Sequence, residues 1–471
     1  MPTSDVHEGT APQTRRWGRT LLFVAAFVVL LALMNALLTL LLVPYGSKSE
    51  VVWKDYASAD EIDCVMVGTS TIMRGVDPQI VDAELGTHSY NLATPNQMLD
   101  ESYLAIKTAY EDHGISRVIL GISYSQTMLD DKPNPGSTFV RERAKVVGLR
   151  QRLEADAYLL LKGGAITQAS SLNMLFPWIT NKVTISPSAI IPNVRMKLDG
   201  TSVYEAAEIN ERGWHYGGRG FGYFTWKLDY NTGNARPFVT AEDFAAFAPD
   251  AETPPALNAE RARALDDILN YCSEHDIKVT AVVPPVPDFA LIDYGPNYDA
   301  FSRVLCDYLE ARGTHCYDFN LARNELYDHD EADFTDSEHL NRQGVDKFTP
   351  AICDLIKRGE AGEDLSALFG TAAERVQAMD HISCVVEEVR GEADGIHINA
   401  RAVAGPSVDV EYQYLRKVGE EWVVLRDWSD DPSYVFVPEG GERGRFELCM
   451  SARRAGTDVE YDRYRLFTVL Y

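Results

Sequence analysis

The sequence predicts an α/β protein: a doubly wound parallel sheet, preceded by one membrane-spanning helix and followed by a small β-sandwich. Three observations carry this. Leu21 to Val43 contains no charged residue, and only Asn35 and Thr39 interrupt it with polar side chains. From Glu61 to about Lys357 short apolar runs alternate with segments of helical period, the pattern of a parallel sheet with helices on both faces. After Met379 the period shortens to two, as in strands with one buried face.

The apolar stretch comes first in the chain. About 20 such residues cross a bilayer, and Pro44, Tyr45 and Gly46 stop the helix. Arg15, Arg16 and Arg19 precede it, so the positive-inside rule leaves residues 1–20 as a cytoplasmic tail, 21–43 as the anchor and the rest extracytoplasmic. The rival is a cleaved signal peptide, whose apolar core is only about 7 to 15 residues and is followed by a small-x-small cleavage site. Val43-Pro44-Tyr45-Gly46 is a poor site of that kind. The expectation is therefore a single-pass protein of the cell membrane.

The α/β unit spans residues 55–358. Its strands are expected at Ile62–Val67, His88–Leu92, Arg117–Ile122, Ile277–Val283 and His315–Phe319, with Pro284-Pro285 closing the fourth. Helices are expected over about Thr71–Glu84, Gln97–Asp112, Asn258–Glu274, Asp299–Arg312 and Asn341–Lys357. Ligands of such sheets bind beyond the carboxyl ends of the strands. That is where Ser70, Ser123, Pro284 and the loop bearing His339 fall.

A long insertion, about 125–257, breaks the rhythm and carries the run from Gly213 to Phe224, rich in glycine and aromatics. Two readings stay open for it. It can be a lid or acceptor-binding surface that stacks on sugar rings or packs an acyl chain, with Arg219 as a candidate anion contact, or its rings can fill a small core of their own. Residues 359–378 read as a polar linker with one short helix. In 379–471, Val408–Tyr414 and Trp422–Leu425 flank the turn Val418-Gly419-Glu420-Glu421, an Ig-like sandwich in which Tyr412, Tyr414, Trp422, Tyr434 and Tyr464 are expected to pack the core.

Lys plus Arg number 44 against 70 Asp plus Glu, a net charge of -26. This argues against nucleic acid as a partner, because phosphates need a basic surface; it reads as a solvated acidic exterior. The seven cysteines include no Cys-x-x-Cys and no neighbouring histidine pair, so no metal and no cofactor is expected. Outside the cytoplasm Cys384 and Cys449 could bridge two strands, or all could be buried free thiols.

Two short motifs carry the chemistry. Gly68-Thr69-Ser70 ends the first apolar run, putting a hydroxyl where a strand turns into a helix whose free N–H groups face a developing oxyanion. Asp336-Ser337-Glu338-His339 precedes the last helix. There His339 can reach the Ser70 hydroxyl while Asp336 orients it, giving a Ser-His-Asp triad. A solvated histidine followed by a capping Asn341 is the bland alternative.

Over about Asp63 to Ile356, leaving out the insertion, these residues resemble the SGNH or GDSL-type esterases and acyltransferases. Val67-Gly68-Thr69-Ser70 is similar to the nucleophile block, and Asp336 to Asn341 to the block with the other two triad members. Asn91 to Asn96 and Leu120 to Ser123 stand where the second and third blocks belong. The resemblance implies a flavodoxin-like sheet, catalytic Ser70, Asp336 and His339, and oxyanion or substrate contacts at Asn96 and Ser123. Two departures matter: Asn96 replaces the second-block glycine and Ser123 the third-block asparagine. One oxyanion donor is worth about 3 kcal/mol.

The departures and the anchor look more like the branch that modifies cell-envelope polymers, which includes D-alanyl-teichoic-acid and alginate O-acetyltransferase proteins. That resemblance implies acyl transfer through Ser70 to a cell-envelope polysaccharide or polyol, or to water, beside a membrane-bound O-acyltransferase. The alternatives are a catalytically impaired glycan-binding or assembly factor on the same fold, and a structural surface protein whose sandwich recruits a partner.

Overall fold

The computed structural model describes residues 13–128, 143, 147–162, 176–179, 181–228, 256–295 and 297–471. Residues 1–12 of the expected tail and much of the expected insertion lie outside them. The first element is a helix, Gln13–Leu42, whose part Trp17–Leu42 is long and apolar enough to be a membrane span or a signal sequence. A second helix, Lys48–Tyr56, follows at once and was not expected.

The strands β1 (Cys64–Val67), β2 (Ser89–Asn91) and β3 (Arg117–Gly121) precede the insertion, which contributes a hairpin of β4 (Trp214–Gly218) and β5 (Phe221–Phe224). After it come β6 (Lys278–Val283) and β7 (His315–Asp318). Among the described residues, β1, β2, β3, β6 and β7 form a parallel five-stranded sheet in the order β2-β1-β3-β6-β7. Alternate residues feed two cores. Val65, Val67, Val118 and Leu120 join the cluster on one face, and Cys64, Met66 and Ile119 the cluster on the other. Burial of both faces is why these strands read as continuous apolar runs.

The sheet brings Gly68, just after β1, and Gly121, the last residue of β3, against one helix. A Cβ at Gly121 would lie 1.9 Å from Ile72 Cγ1, and one at Gly68, whose φ is +146°, 3.0 Å from Gly121 O. Gly121→Ala should therefore destabilise by about 1–3 kcal/mol through overpacking. Thermal unfolding of the variant is expected to show a lowered Tm.

Several expected boundaries shift for identifiable reasons. The helix over Thr71–Glu84 is two, Ser70–Gly75 and Pro78–Leu85, because Val76 is extended and Asp77 caps a new helix with Pro78 in its first turn. Pro284-Pro285 ends β6, but another helix, Asp288–Asp293, starts soon after. The 359–378 segment is packed rather than a loose linker: the preceding helix runs to Glu360, and Ala372–Ala378 buries Ala372 and Val376 in the α/β core. In the aromatic run, Trp214 and Phe224 pack with Val51, Val203 and Ala207, while Phe221 joins the core beneath the sheet. Arg219 is ion-paired with Asp82, so both observations favour the core-filling reading.

The last region contains β8 (Ile382–Glu392), β9 (Gly395–Ala404), β10 (Val410–Val418), β11 (Glu421–Ser429), β12 (Ser433–Phe436), β13 (Arg445–Arg454) and β14 (Arg463–Leu470). They form two antiparallel sheets, β11-β10-β13-β14 and β12-β9-β8, sharing a core of Ile382, Ile398, Tyr414, Phe436 and Met450 among others. Tyr412 and Tyr414 are buried, and Tyr434 stacks on Tyr414. Trp422 instead stands exposed on the edge strand β11. All seven cysteines are free. Cys384 turns into the α/β core and is absent from the sandwich core, as is Cys449, which lies 3.7 Å from Ser451 Oγ; the two thiols leave the sandwich by opposite sheets and form no bridge.

The sandwich is tied to the α/β unit by a buried ionic cluster. Glu331 accepts hydrogen bonds from Ser383 Oγ and Arg463 Nη2, and Asp288 from Arg375 Nε at 2.7 Å, with His381 Nε2 at 3.2 Å. Asp288, Glu331 and His381 are near enough to share an ion, but Arg375 and Arg463 already supply the positive charge a metal would bring. The Asp288 hydrogen bond raises the His381 pKa, against the opposing effect of burial and helped by Glu331. A raised histidine pKa stabilises docking fully below the unfolded value of about 6.5 and is lost as pH rises through the folded value. Thermal melts should thus show a Tm that falls from mildly acidic to alkaline pH, and His381→Gln should flatten that dependence.

Candidate active site

Each element of the site follows from local chemistry. The backbone leaves β1 at Gly68, and Thr69 caps the helix Ser70–Gly75 with its Oγ1. Ser70 is then the first helical residue, so its N–H has no acceptor within the helix. The loop after β2 is tied down beside it. Asn91 Nδ2 donates to the carbonyls of Ile72 and Val76 at 2.9 Å each, while Leu92 N reaches Met66 O and Thr94 N reaches Gly68 O. Asn96 follows in the left-handed region, with φ of 56°. Asparagine tolerates that conformation better than most residues, which explains how it can occupy the position where the resemblance expected glycine.

The second motif forms a short closed loop. Phe334 and Leu340 make an isolated bridge, Thr335 N donates to His339 O at 2.8 Å, and Asn341 caps the helix Arg342–Glu360. Three N–H groups converge on Asp336 Oδ1: the backbone of Glu338 and of His339, both at 3.0 Å, and the His339 ring at 2.7 Å. His339 Nε2 lies 2.7 Å from Ser70 Oγ. The sequence motifs are thus brought together as a continuous Ser70–His339–Asp336 chain, and the solvated-histidine alternative is set aside.

The electrostatics fix the proton positions. Burial works against the Asp336 charge, but the hydrogen bond and charge of His339, the Glu338 N–H and Arg74 outweigh it and hold the carboxyl at about 2. An ionised Asp336 can only accept, so Nδ1 carries the imidazole proton and Nε2 is left to accept from the Ser70 hydroxyl. Arg74, one turn after Ser70, lies 3.6 Å from Asp336 Oδ2 and sits over the Phe224 ring. Sequence reading missed it, because an arginine in a helix normally faces solvent.

A cleft of about 70 Å³ opens at Ser70, lined by Thr69, Asn96, Ser123, Tyr124, Tyr294 and Glu338 among others. Asn96 and Ser123 thus both line the cleft at Ser70. Ser123 Oγ, however, lies 3.3 Å from Gln126 Oε1, which also accepts from Ser123 N at 2.9 Å. Tyr124 stacks on Tyr294 with ring centroids 4.8 Å apart. Behind them Tyr298 donates to the buried Asp318, and Asn320 bonds Pro284 O and Val286 N. Tyr124, Tyr294, Tyr298 and Asn320 belong to no motif; Tyr124 and Asn320 at least follow strand ends, whereas Tyr294 ends one helix and Tyr298 opens the next. The chain matches no family model and no curated protein.

Proposed function

We propose that the chain is a membrane-anchored, extracytoplasmic serine esterase or O-acyltransferase of the SGNH type, acting on a cell-envelope glycan or polyol. The Ser70–His339–Asp336 geometry carries this reading. The sheet order β2-β1-β3-β6-β7 supports it, being the 2-1-3-4-5 order of flavodoxin-like folds, as does a left-handed Asn96 in the glycine position of the second block. The sandwich, with strands split four and three, fits an Ig-like module.

Anchoring is supported at the end of the apolar helix. Asn193 Nδ2 donates to the carbonyls of Leu41 and Val43, and Lys197 Nζ to those of Thr39, Leu40 and Val43. The Leu40 and Leu41 carbonyls are among those a helix C-terminus leaves unpaired, while Thr39 O also accepts from Val43 N at 3.2 Å. Cleavage here would strip the folded domain of a built contact, so the helix reads as retained.

The chemistry follows from the proton positions. Ser70 Oγ attacks the donor carbonyl as its proton passes to His339 Nε2, and the leaving alkoxide takes that proton. An acceptor hydroxyl, or water, then gives its proton to Nε2 and attacks the acyl-serine, and Ser70 recovers the proton on leaving. Asp336 stays ionised and stabilises the imidazolium. The N–H groups of Ser70 and Asn96 are the proposed oxyanion donors, with Ser123 Oγ turned to Gln126. A membrane-bound O-acyltransferase as donor-side partner follows from the resemblance alone.

The test is labelling of the full-length detergent-solubilised protein with a fluorophosphonate, with peptide mapping. Stoichiometric adduct on Ser70 is expected. A folded protein without adduct would favour the second reading, a glycan-binding or assembly factor, whose motivation is serine rather than asparagine at position 123.

A further inference from the structure

The insertion carries a segment whose surroundings differ from the rest of this acidic chain. Between Asp156 and Asp199 the sequence contains no acidic residue but has Lys162, Lys182, Arg195 and Lys197. Its described part is fastened to the last turns of the apolar helix. Trp178 Nε1 donates to Asn35 Oδ1 at 2.8 Å, and Val183 N to Leu42 O at 2.8 Å. Asn35 is seven residues before the end of that helix, about 10 Å along its axis at 1.5 Å per residue. The contact thus reaches below the level at which the helix would leave a bilayer.

The helix Pro187–Leu198 has two unlike faces. Asn193 and Lys197, one turn apart, grip the carbonyls of the apolar helix. Ile191 and Leu198 point elsewhere and are 57% and 70% exposed, with Arg195 exposed between them; Ile185, just before the helix, is 71% exposed. Apolar side chains flanking a base, held at the depth where a membrane helix ends, match an element lying in the headgroup and acyl boundary with its cations among lipid phosphates.

We infer that residues 176–179 and 181–198 form an interfacial membrane-binding element, whose partner is the anionic lipid surface around the anchor. This rests on the proposed reading of the N-terminal helix as a membrane span. One spanning helix alone leaves the attached domain free to tilt and rotate; a second contact beside it restricts both. The α/β unit, and Ser70 with it, is then held in a set orientation to the bilayer, the arrangement a membrane-delivered acyl donor requires.

The experiment places one fluorescent amino acid in the full-length chain, replacing Ile191, Leu198, Leu30 or Val459 in turn. Each protein is put into nanodiscs of phosphatidylglycerol and phosphatidylcholine with brominated acyl chains, and quenching is read. Positions 191 and 198 are expected to be quenched at least about threefold more than position 459 on the sandwich, as for side chains at the acyl boundary. Quenching at 30 but no more at 191 and 198 than at 459 would overturn the inference while leaving the anchor intact. Absence of quenching at 30 would overturn the anchor and with it this inference. Shielding at 191 and 198 that needs a second membrane protein would overturn it in favour of a protein partner.

Discussion

Ser70→Ala should abolish adduct formation and lower ester hydrolysis and acyl transfer by roughly four to six powers of ten, the range over which triad nucleophiles act. The substitution should leave folding untouched. Thr69, not Ser70, supplies the side-chain cap of the helix, and Asn91 continues to hold the carbonyls of Ile72 and Val76. An unchanged Tm together with lost turnover therefore assigns the loss to chemistry. His339→Ala should cost about as much and add little in the double variant, since nucleophile and base act as a unit. Full activity of Ser70→Ala on a small acyl ester would rule out an acyl-serine intermediate. Absence of ester hydrolysis in the wild type, with glycan binding that survives Ser70→Ala, would instead point to the non-catalytic reading.

What was legible in the sequence is what a single physical constraint imposes. β1 stood out because both of its faces are buried, so Cys64, Val65, Met66 and Val67 all had to be apolar. Ser70 and His339 stood out because a strand end and a loop before a helix are where such sheets expose side chains. Asp336 could be paired with His339 because the motif is local. Arg74, Tyr294 and Asn320 were not legible. Their roles depend on which loops meet above the sheet, and no local pattern separates them from an ordinary helix arginine or a loop tyrosine. The same holds for the packed segment Ala372–Ala378. Its polar composition reads as a linker, and only the burial of Ala372 and Val376 and the buried Arg375–Asp288 pair show it to be packed. Trp422 misled in the other direction, since strand period alone does not tell an edge strand from a central one.

Asp336→Asn tests the electrostatic half of the site. The Glu338 and His339 backbone N–H groups and the His339 ring N–H all point at Oδ1. An asparagine would keep its carbonyl there, preserving the loop and the imidazole tautomer, and would turn its NH₂ toward Arg74 on the other side. What it loses is the negative charge facing the imidazolium. At an effective dielectric of about 20 that attraction is worth roughly 4 kcal/mol at 4 Å, so the rate should fall about a hundred- to a thousandfold with little change in Tm. A loss nearer ten-thousandfold would mean that the amide had flipped and imposed the wrong tautomer. Because Asp336 is held at about 2, the acid limb of the wild-type pH–rate profile should not report this carboxylate. Arg74→Met, which removes one of the charges holding Asp336 ionised, should raise the carboxyl pKa without reaching neutrality. Its smaller rate loss should therefore be nearly constant above pH ~6, where a carboxylate near its ordinary value is fully ionised. Unchanged turnover in Asp336→Asn would mean that no imidazolium forms in the rate-limiting step, leaving Ser70 without the general base its geometry implies.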